Sequence, residues 1–389
     1  MDFELNEEQR LLKESVARFV EREYSFESRR TLVMGSGFSE DNWRTFADMG
    51  WLLAALPEDC GGLGGGAVEN AIIQEEFGKA LVIEPFLPVA ILAARTLLAC
   101  NDVEKTQSLI RQLAFGEARP VLAHAEPESF GDIAWVETTA KRDGDGWIVD
   151  GGKTSVVGAP FATHFIISAR DSGASDDKTG LSLFLLPADI DGLERTDFRM
   201  VDNSRASELT LRNVRLGEEC LLGTPGGAFA ALAVAAAHAT TAICAEAVGA
   251  MERAIWITRD YLKTRRQFGQ PLGNFQALQH RMADMLIELE MSRSQTNRGL
   301  AYLNAAPDIR DRAISSMKVQ ISRSARFVGG QAIQLHGGIG VTEEYEIGHY
   351  FKRLTVIDNT FGTAAPHLER MAKLDRHRTY ADTAELTVG

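Results

Sequence analysis

Phe229-Ala-Ala-Leu-Ala-Val-Ala-Ala-Ala-His-Ala-Thr-Thr-Ala-Ile-Cys-Ala-Glu-Ala-Val-Gly-Ala-Met251 is the stretch on which the fold turns. It is long and apolar enough to raise a membrane span, which needs about 20 such residues. Yet it carries His238, Thr240, Thr241 and Glu246, and alanine adds little to insertion. The favoured reading is a helix buried in a bundle, and with it a soluble chain without a membrane partner.

Working outward, everything from residue 224 onward reads as helical. Helices are expected over roughly 230–265, 276–302 and 312–336. In the last of these Met317, Ile321, Ala325 and Val328 share a face, and Gly337-Gly338 stops the helix. Long helices with short connections imply an antiparallel bundle. Upstream, from about 120 to 223, the period changes to that of strands. Trp147–Gly152 reads as a strand ending in a turn, and Ala162–Ala169 as a buried strand. Leu181–Leu186 closes at Pro187, and Glu208–Val214 alternates. The first 119 residues are helical again: Leu12, Val16, Phe19 and Val20 form an apolar stripe, and Asn6 is placed to cap that helix with Gln9. The fold class expected is mainly α with a central β domain: an N-terminal helical domain (1–119), a β-barrel or sandwich (120–223) and a C-terminal four-helix bundle (224–389).

The composition narrows the partners. Against 54 acidic residues stand 41 basic ones, a net charge of −13, so nucleic acid and anionic membrane are not expected. Cys60, Cys100, Cys220 and Cys244 are scattered, with no CxxC pair or histidine cluster, which argues against a disulfide framework or a metal site. A reducing, cytoplasmic setting fits such cysteines, and the opening residues resemble no targeting segment. The run Pro57–Gly66, rich in glycine, feeds a helix. Without the strand and spacing of a dinucleotide fingerprint, it reads as a plain turn rather than a phosphate cradle.

Five segments, in order, resemble the acyl-CoA dehydrogenase family. Leu56-Pro-Glu-Asp-Cys-Gly-Gly-Leu-Gly64 is similar to its Pro-Glu-x-x-Gly-Gly-x-Gly loop, and Ala125-Glu-Pro127 to its Thr-Glu-Pro. Glu208-Leu209 through Leu221-Leu-Gly223 resembles the end of its β domain. Tyr261-Leu-Lys-Thr-Arg-Arg-Gln-Phe-Gly269 with Phe275-Gln276 is similar to its Arg-x-x-Phe-Gly signature, and Gln334-Leu-His-Gly-Gly-Ile-Gly340 to its Gln-x-x-Gly-Gly-x-Gly loop. The resemblance implies α,β-dehydrogenation of an acyl-CoA thioester with FAD as cofactor and an electron-transfer flavoprotein as acceptor. It also implies that Arg265, Phe268, Gln276, Gln334, Gly337 and Gly338 reach the FAD of a neighbouring subunit. Their chemistry suits that role, with a guanidinium fork for phosphate, glycines that let backbone come close, and amides that donate and accept. Taken singly, Arg265 equally suits a solvated cation at a helix C-terminus, and the glycines a C-cap.

The resemblance fails where the family keeps its chemistry. Its catalytic Glu lies in Tyr-Glu-Gly-Thr, and here the stretch Asn359-Thr-Phe-Gly-Thr363 puts Phe361 at that position. The alternative Glu position, on the long helix, holds Ala239. The family's Thr-Glu-Pro hydroxyl is replaced by Ala125, its Trp-x-Thr by Ser155-Val-Val157, and the Arg that meets acyl-CoA by Thr240. His238 and Asp358 neighbour the empty positions, with structural roles the favoured reading. No catalytic residue is therefore assigned. The expectation is a non-catalytic, FAD-completing subunit paired with a homologous dehydrogenase chain. Its alternatives are an active homo-oligomer, a dimer or tetramer with a relocated base, and a flavin-free interaction scaffold.

Overall fold

Asn6 caps the first helix as its spacing from Gln9 requires. In the computed structural model, which describes residues 4–386 and side chains as far as Arg376, the Gln9 N–H donates to Asn6 Oδ1 at 2.8 Å. The Asn6 N–H donates back to Gln9 Oε1 at 3.1 Å. The N-terminal segment continues as α1 (Glu7–Glu23), α2 (Phe26–Met34), α3 (Glu40–Asp48) and α4 (Ala67–Ala80). A π-helical segment over Leu87–Ala93 then runs into α5 (Ala94–Ala99), followed by α6 (Val103–Ala114). Eight strands follow: β1 (Pro120–Ala123), β2 (Thr139–Asp143), β3 (Gly146–Val157), β4 (His164–Arg170), β5 (Leu181–Pro187), β6 (Leu193–Arg199), β7 (Arg205–Gly217) and β8 (Leu221–Leu222). The chain then forms α7 (Phe229–Thr264), a small hairpin of β9 (Arg266–Gln267) and β10 (Gln270–Pro271), α8 (Gln276–Tyr302), α9 (Pro307–His336), α10 (Ile347–Asn359) and α11 (Ala364–Leu386). The fold is thus mainly α with a β domain between two helical segments.

Contacts divide the chain into two units. One holds the residues up to Phe26, Ala71–Val82 and those from Thr240 onward; the other holds Glu27–Asn70 and Ile83–Ala239. In the first unit α9 is the hub, packing against α8, α10 and α11. Met317, Ile321, Ala325 and Val328 are all buried there, as their shared face requires. This helix begins at Pro307, five residues before the expected start, because proline suits a first helical position, where its missing N–H has no partner to lose. Helices α4 and α7 cross backbone to backbone. A Cβ on Gly78 would lie 2.0 Å from the Glu246 carbonyl oxygen, and one on Gly249 would lie 1.8 Å from that of Glu75. Arg353 then clamps Glu246 with two bonds, of 2.5 and 2.8 Å. An apolar 18-residue window of α7 is 78% buried inside the protein, as befits a bundle helix.

In the second unit the strands form one mixed sheet in two wings. One runs β6-β7-β3-β2, and the other joins β1, β4, β5 and β8; a single pair, Thr139 with Arg170, links them. Strand β3 corrects the sequence reading. It does not end at Gly152 but continues to Val157, with register shifts between Val149 and Gly151 and between Lys153 and Val156. The glycines mark a bulge rather than a terminus: a Cβ on Gly151 would lie 2.6 Å from Thr138 Oγ1. Strands β1, β2 and β6 escaped the reading because none alternates: β1 is buried throughout, whereas β2 and β6 are mostly exposed.

Candidate functional site

The hairpin between α7 and α8 turns through Phe268 and Gly269, both at positive φ, 53° and 80°. Two-residue hairpin loops favour this geometry and normally place Asn-Gly in it. Phenylalanine there costs roughly 1–2 kcal/mol in backbone strain. The same side chain is 89% exposed, with a T-shaped contact to Phe275 at 6.2 Å. Backbone strain of this kind clusters at ligand-binding sites.

Beside the hairpin base, a groove of about 470 Å³ is lined by Tyr261, Arg265, Arg281, Gln334, His336 and Gly337, among others. The structure thus brings together Arg265, Gln334 and Gly337 of the residues singled out from sequence. Gln276, the exposed first residue of α8, and Gly338 are not among the groove's lining residues; nor is Phe268, at the hairpin tip. Gly337 ends α9 at φ 64°, its N–H donating back to the carbonyls of Gln334 and Ile333. A Cβ at either Gly337 or Gly338 would meet nothing within 4 Å, so the space before this turn is open. His336, buried, donates Nδ1–H to the Ala332 carbonyl at 2.8 Å, and its ring stacks on Tyr261 at 4.5 Å. Burial lowers its pKa and keeps the ring neutral. Arg281 belongs to no motif and was missed. Its only signal in the sequence is its place on the second turn of the helix that starts at Gln276.

The open turn and the donor set of this groove fit a diphosphate. Two guanidiniums, a side-chain amide and an exposed glycine turn are the groups that phosphate oxygens take up, and the left-handed Gly337 lets backbone come near.

Phe361, which the resemblance sets at the family's catalytic carboxylate, is half-buried just beyond α10, with φ 59°, and Gly362 follows at 91°. Side chains hold both the end of α10 and the turn. Buried Lys318 donates to the Ile357 and Asp358 carbonyls at 2.8 and 2.9 Å, and His367 Nε2–H donates to the Phe361 carbonyl at 2.9 Å. His367 Nδ1 accepts from Ser315 at 3.2 Å, and burial brings this imidazole down to about 4, so it is neutral. Asp358 is 2% exposed and ion-paired to Arg326 at 2.5 Å. Its other oxygen, Oδ1, is buried without a hydrogen-bond partner among the described residues. Ala239, His238 and Thr240 are buried along α7.

In the β unit, Ala125 is exposed just beyond β1, and the Thr154 N–H donates to its carbonyl at 2.8 Å. Ser155 sits at φ 51° in the second bulge of β3, and Glu208 receives the Ser155 N–H at 3.3 Å and the Thr154 hydroxyl at 2.8 Å. Val157 pairs with Ala206. Behind these residues lies an ion pair that sequence reasoning missed. Lys153 and Glu126, with side chains 0% and 2% exposed, meet at 2.5 Å. Glu126 also receives the Thr138 hydroxyl at 2.6 Å and the Glu137 N–H at 2.6 Å. Burial works to raise the Glu126 carboxyl, but Lys153 and these donors together bring it below its ordinary value. Burial pushes Lys153 down to about 8 despite Glu126. In the glycine-rich run at 57–66 a Cβ on Gly62 or Gly65 would lie 2.1 or 2.2 Å from the Leu56 or Ala54 carbonyl oxygen, whereas one on Gly61 would meet nothing within 4 Å.

Models of the acyl-CoA dehydrogenase N-terminal, middle and C-terminal domains match residues 6–117, 121–214 and 229–374. The chain is 29% identical over 369 residues to the probable acyl-CoA dehydrogenase YngJ of Bacillus subtilis, covering 94% of this chain and 97% of YngJ. Among solved structures it is similar to a variant of the steroid ACAD Tcur3481-Tcur3483, at 31% identity and a TM-score of 0.86, covering 96% of this chain and 99% of that one. The ChsE4-ChsE5 complex of Mycobacterium tuberculosis shares the fold, with a TM-score of 0.86 at 24% identity, over 96% of this chain and 98% of that one. Three domain models in order, and a relative matched almost end to end, place this chain in the acyl-CoA dehydrogenase family of oxidoreductases.

Proposed function

We propose that this chain is the non-catalytic, FAD-completing subunit of a hetero-oligomeric acyl-CoA dehydrogenase, built as consecutive domains over 1–119, 120–223 and 224–389. The observation that carries the reading is a contrast between two regions. Phe361 stands where the resemblance sets the base, and the nearby carboxylate, Asp358, is ion-paired to Arg326 through one oxygen. The groove with Arg265, Gln334 and Gly337 keeps its donors and its open turn.

In this reading Arg265, Gln334 and the Gly337-Gly338 turn hold the diphosphate of a FAD seated mainly in a partner chain, and Phe268 covers its adenosine. FAD, the family's usual cofactor, supplies the hydride acceptor for α,β-dehydrogenation. The partner supplies the carboxylate that removes the α-proton; this chain binds, orients and excludes water. The doubly named steroid relative supports both a paired assembly and a lipid or steroid-side-chain acyl-CoA as substrate. An electron-transfer flavoprotein is the expected acceptor.

Co-expression with a candidate partner dehydrogenase, followed by co-purification, tests the reading. The complex should be yellow and should dehydrogenate acyl-CoA, and the chain alone should be pale and inactive. A chain that binds FAD and turns over alone as a homo-oligomer would refute it.

A further inference from the structure

We infer that Arg281 is a second anion-binding residue of the groove, and that with Arg265 it fits the groove to a diphosphate. The inference rests on the cofactor reading above and deepens it. Its basis is the electrostatics of the helix ends. Tyr261 and Arg265 come from the C-terminal end of α7, and Gln334 and His336 from that of α9. Each such end carries roughly half a negative charge. Two of them offset about one cation, so Arg265 alone leaves the groove near neutrality. A diphosphate, entering a chain whose net charge is already −13, would find little to hold it.

Arg281 changes that balance. It lies on the second turn of α8 and so enters the groove from the positive end of a helix whose first turn has no acidic residue. Among the described residues neither Arg265 nor Arg281 has a carboxylate partner. Arg281 donates one N–H to Gln331 Oε1 on α9 at 3.3 Å, which leaves the rest of its planar fork for a ligand. Two unpaired guanidiniums opening on one groove match two phosphate groups, each bearing one charge.

The test measures the dissociation constant of FAD from the assembled oligomer by fluorescence, with light scattering to confirm its mass. Arg281→Met should weaken FAD roughly 10–100-fold, the effect of losing one charge-assisted contact. Arg281→Lys, which keeps the charge and loses the fork, should fall between and covers the case in which the methionine variant does not assemble. Gln331→Ala removes the strut between α8 and α9 while leaving the cation, and should stay within about twofold. If Arg281→Met binds FAD normally while Arg265→Ala does not, the inference fails and the cofactor reading stands. If neither substitution matters, the cofactor reading falls and takes the inference with it. If Gln331→Ala weakens FAD as much as Arg281→Met, Arg281 is only a strut and the inference is overturned.

Discussion

His367 holds Phe361 through its backbone: Nε2–H donates to the Phe361 carbonyl at 2.9 Å, while Nδ1 accepts from Ser315. Burial brings the pKa of this ring from 6.5 to about 4, which keeps it neutral. The unfolded chain therefore binds a proton between pH 6.5 and 4 that the folded chain refuses. Stability is complete above the unfolded value and declines as pH falls through this window. His124, lowered to about 3 chiefly by burial, acts in the same direction. Urea unfolding followed from about pH 7 to about pH 4 should show stability falling by a few kcal/mol. His367→Gln should flatten part of that slope; an unchanged slope would remove His367 as its source.

What the sequence made legible was local. The Asn6–Gln9 cap, both ends of α8 and the stop at Gly337 follow from residues a few positions apart, and each has its expected place. The strands were less legible, because Gly151 and Gly152 suit a turn and a bulge equally well until the register with β7 decides. Of the groove, Arg265 and Gln334 stood in motifs, whereas Arg281 becomes visible only once α8 packs against α9. The Lys153–Glu126 pair joins residues 27 positions apart. Nothing in the spacing of a lysine and a glutamate says that both will be sealed from water.

Arg265 should matter for flavin more than for folding. It is exposed, and in the reading proposed its guanidinium makes a charge-assisted contact of roughly 1.5–3 kcal/mol to phosphate. Arg265→Ala should lower flavin content of the assembled protein at limiting FAD, read from the visible absorbance per subunit, while the thermal midpoint of the chain alone stays unchanged. Equal flavin in both proteins would refute the assignment.

Phe268 invites the opposite experiment, in which a substitution helps the free chain and harms the assembly. At φ 53° glycine is unstrained, so Phe268→Gly should relieve about 1 kcal/mol in the hairpin and remove an exposed ring. The chain alone should be no less stable by thermal melting. In the oligomer the same change removes the surface proposed to lie against adenosine, and FAD should dissociate faster. Flavin release at the unsubstituted rate would leave the exposed ring unexplained.

Lys153 and Glu126 test the β unit. Each is buried, so removing one partner strands a charge, at about 3–5 kcal/mol for a buried pair. Lys153→Met should be severely destabilising in a denaturant melt, and Lys153→Met combined with Glu126→Gln should recover part of the loss. If the double substitution is no better than the single, the pair is not what holds the bulge carrying Ser155 against the turn carrying Ala125.

Phe361 decides the catalytic question. Its φ of 59° burdens glutamate and phenylalanine alike, and the clamps from Lys318 and His367 act on backbone carbonyls, so Phe361→Glu should fold normally. The other positions at which this chain departs from the family's pattern would still lack their usual groups. Ala125 and Val157 offer no side-chain donor, and Thr240 has no guanidinium for the acyl-CoA. A base without an oriented substrate and flavin contributes little, since proton transfer needs hydrogen-bond reach to the acidic C–H. Steady-state dehydrogenation by the complex should therefore change less than about twofold on Phe361→Glu, and the variant chain alone, supplied with FAD and a panel of acyl-CoAs, should remain inactive. Turnover by that isolated variant in the ordinary enzyme range, roughly 1–10³ per second, would mean that a single substitution had silenced an otherwise complete site. The non-catalytic reading would then give way to that of a recently inactivated homo-oligomer.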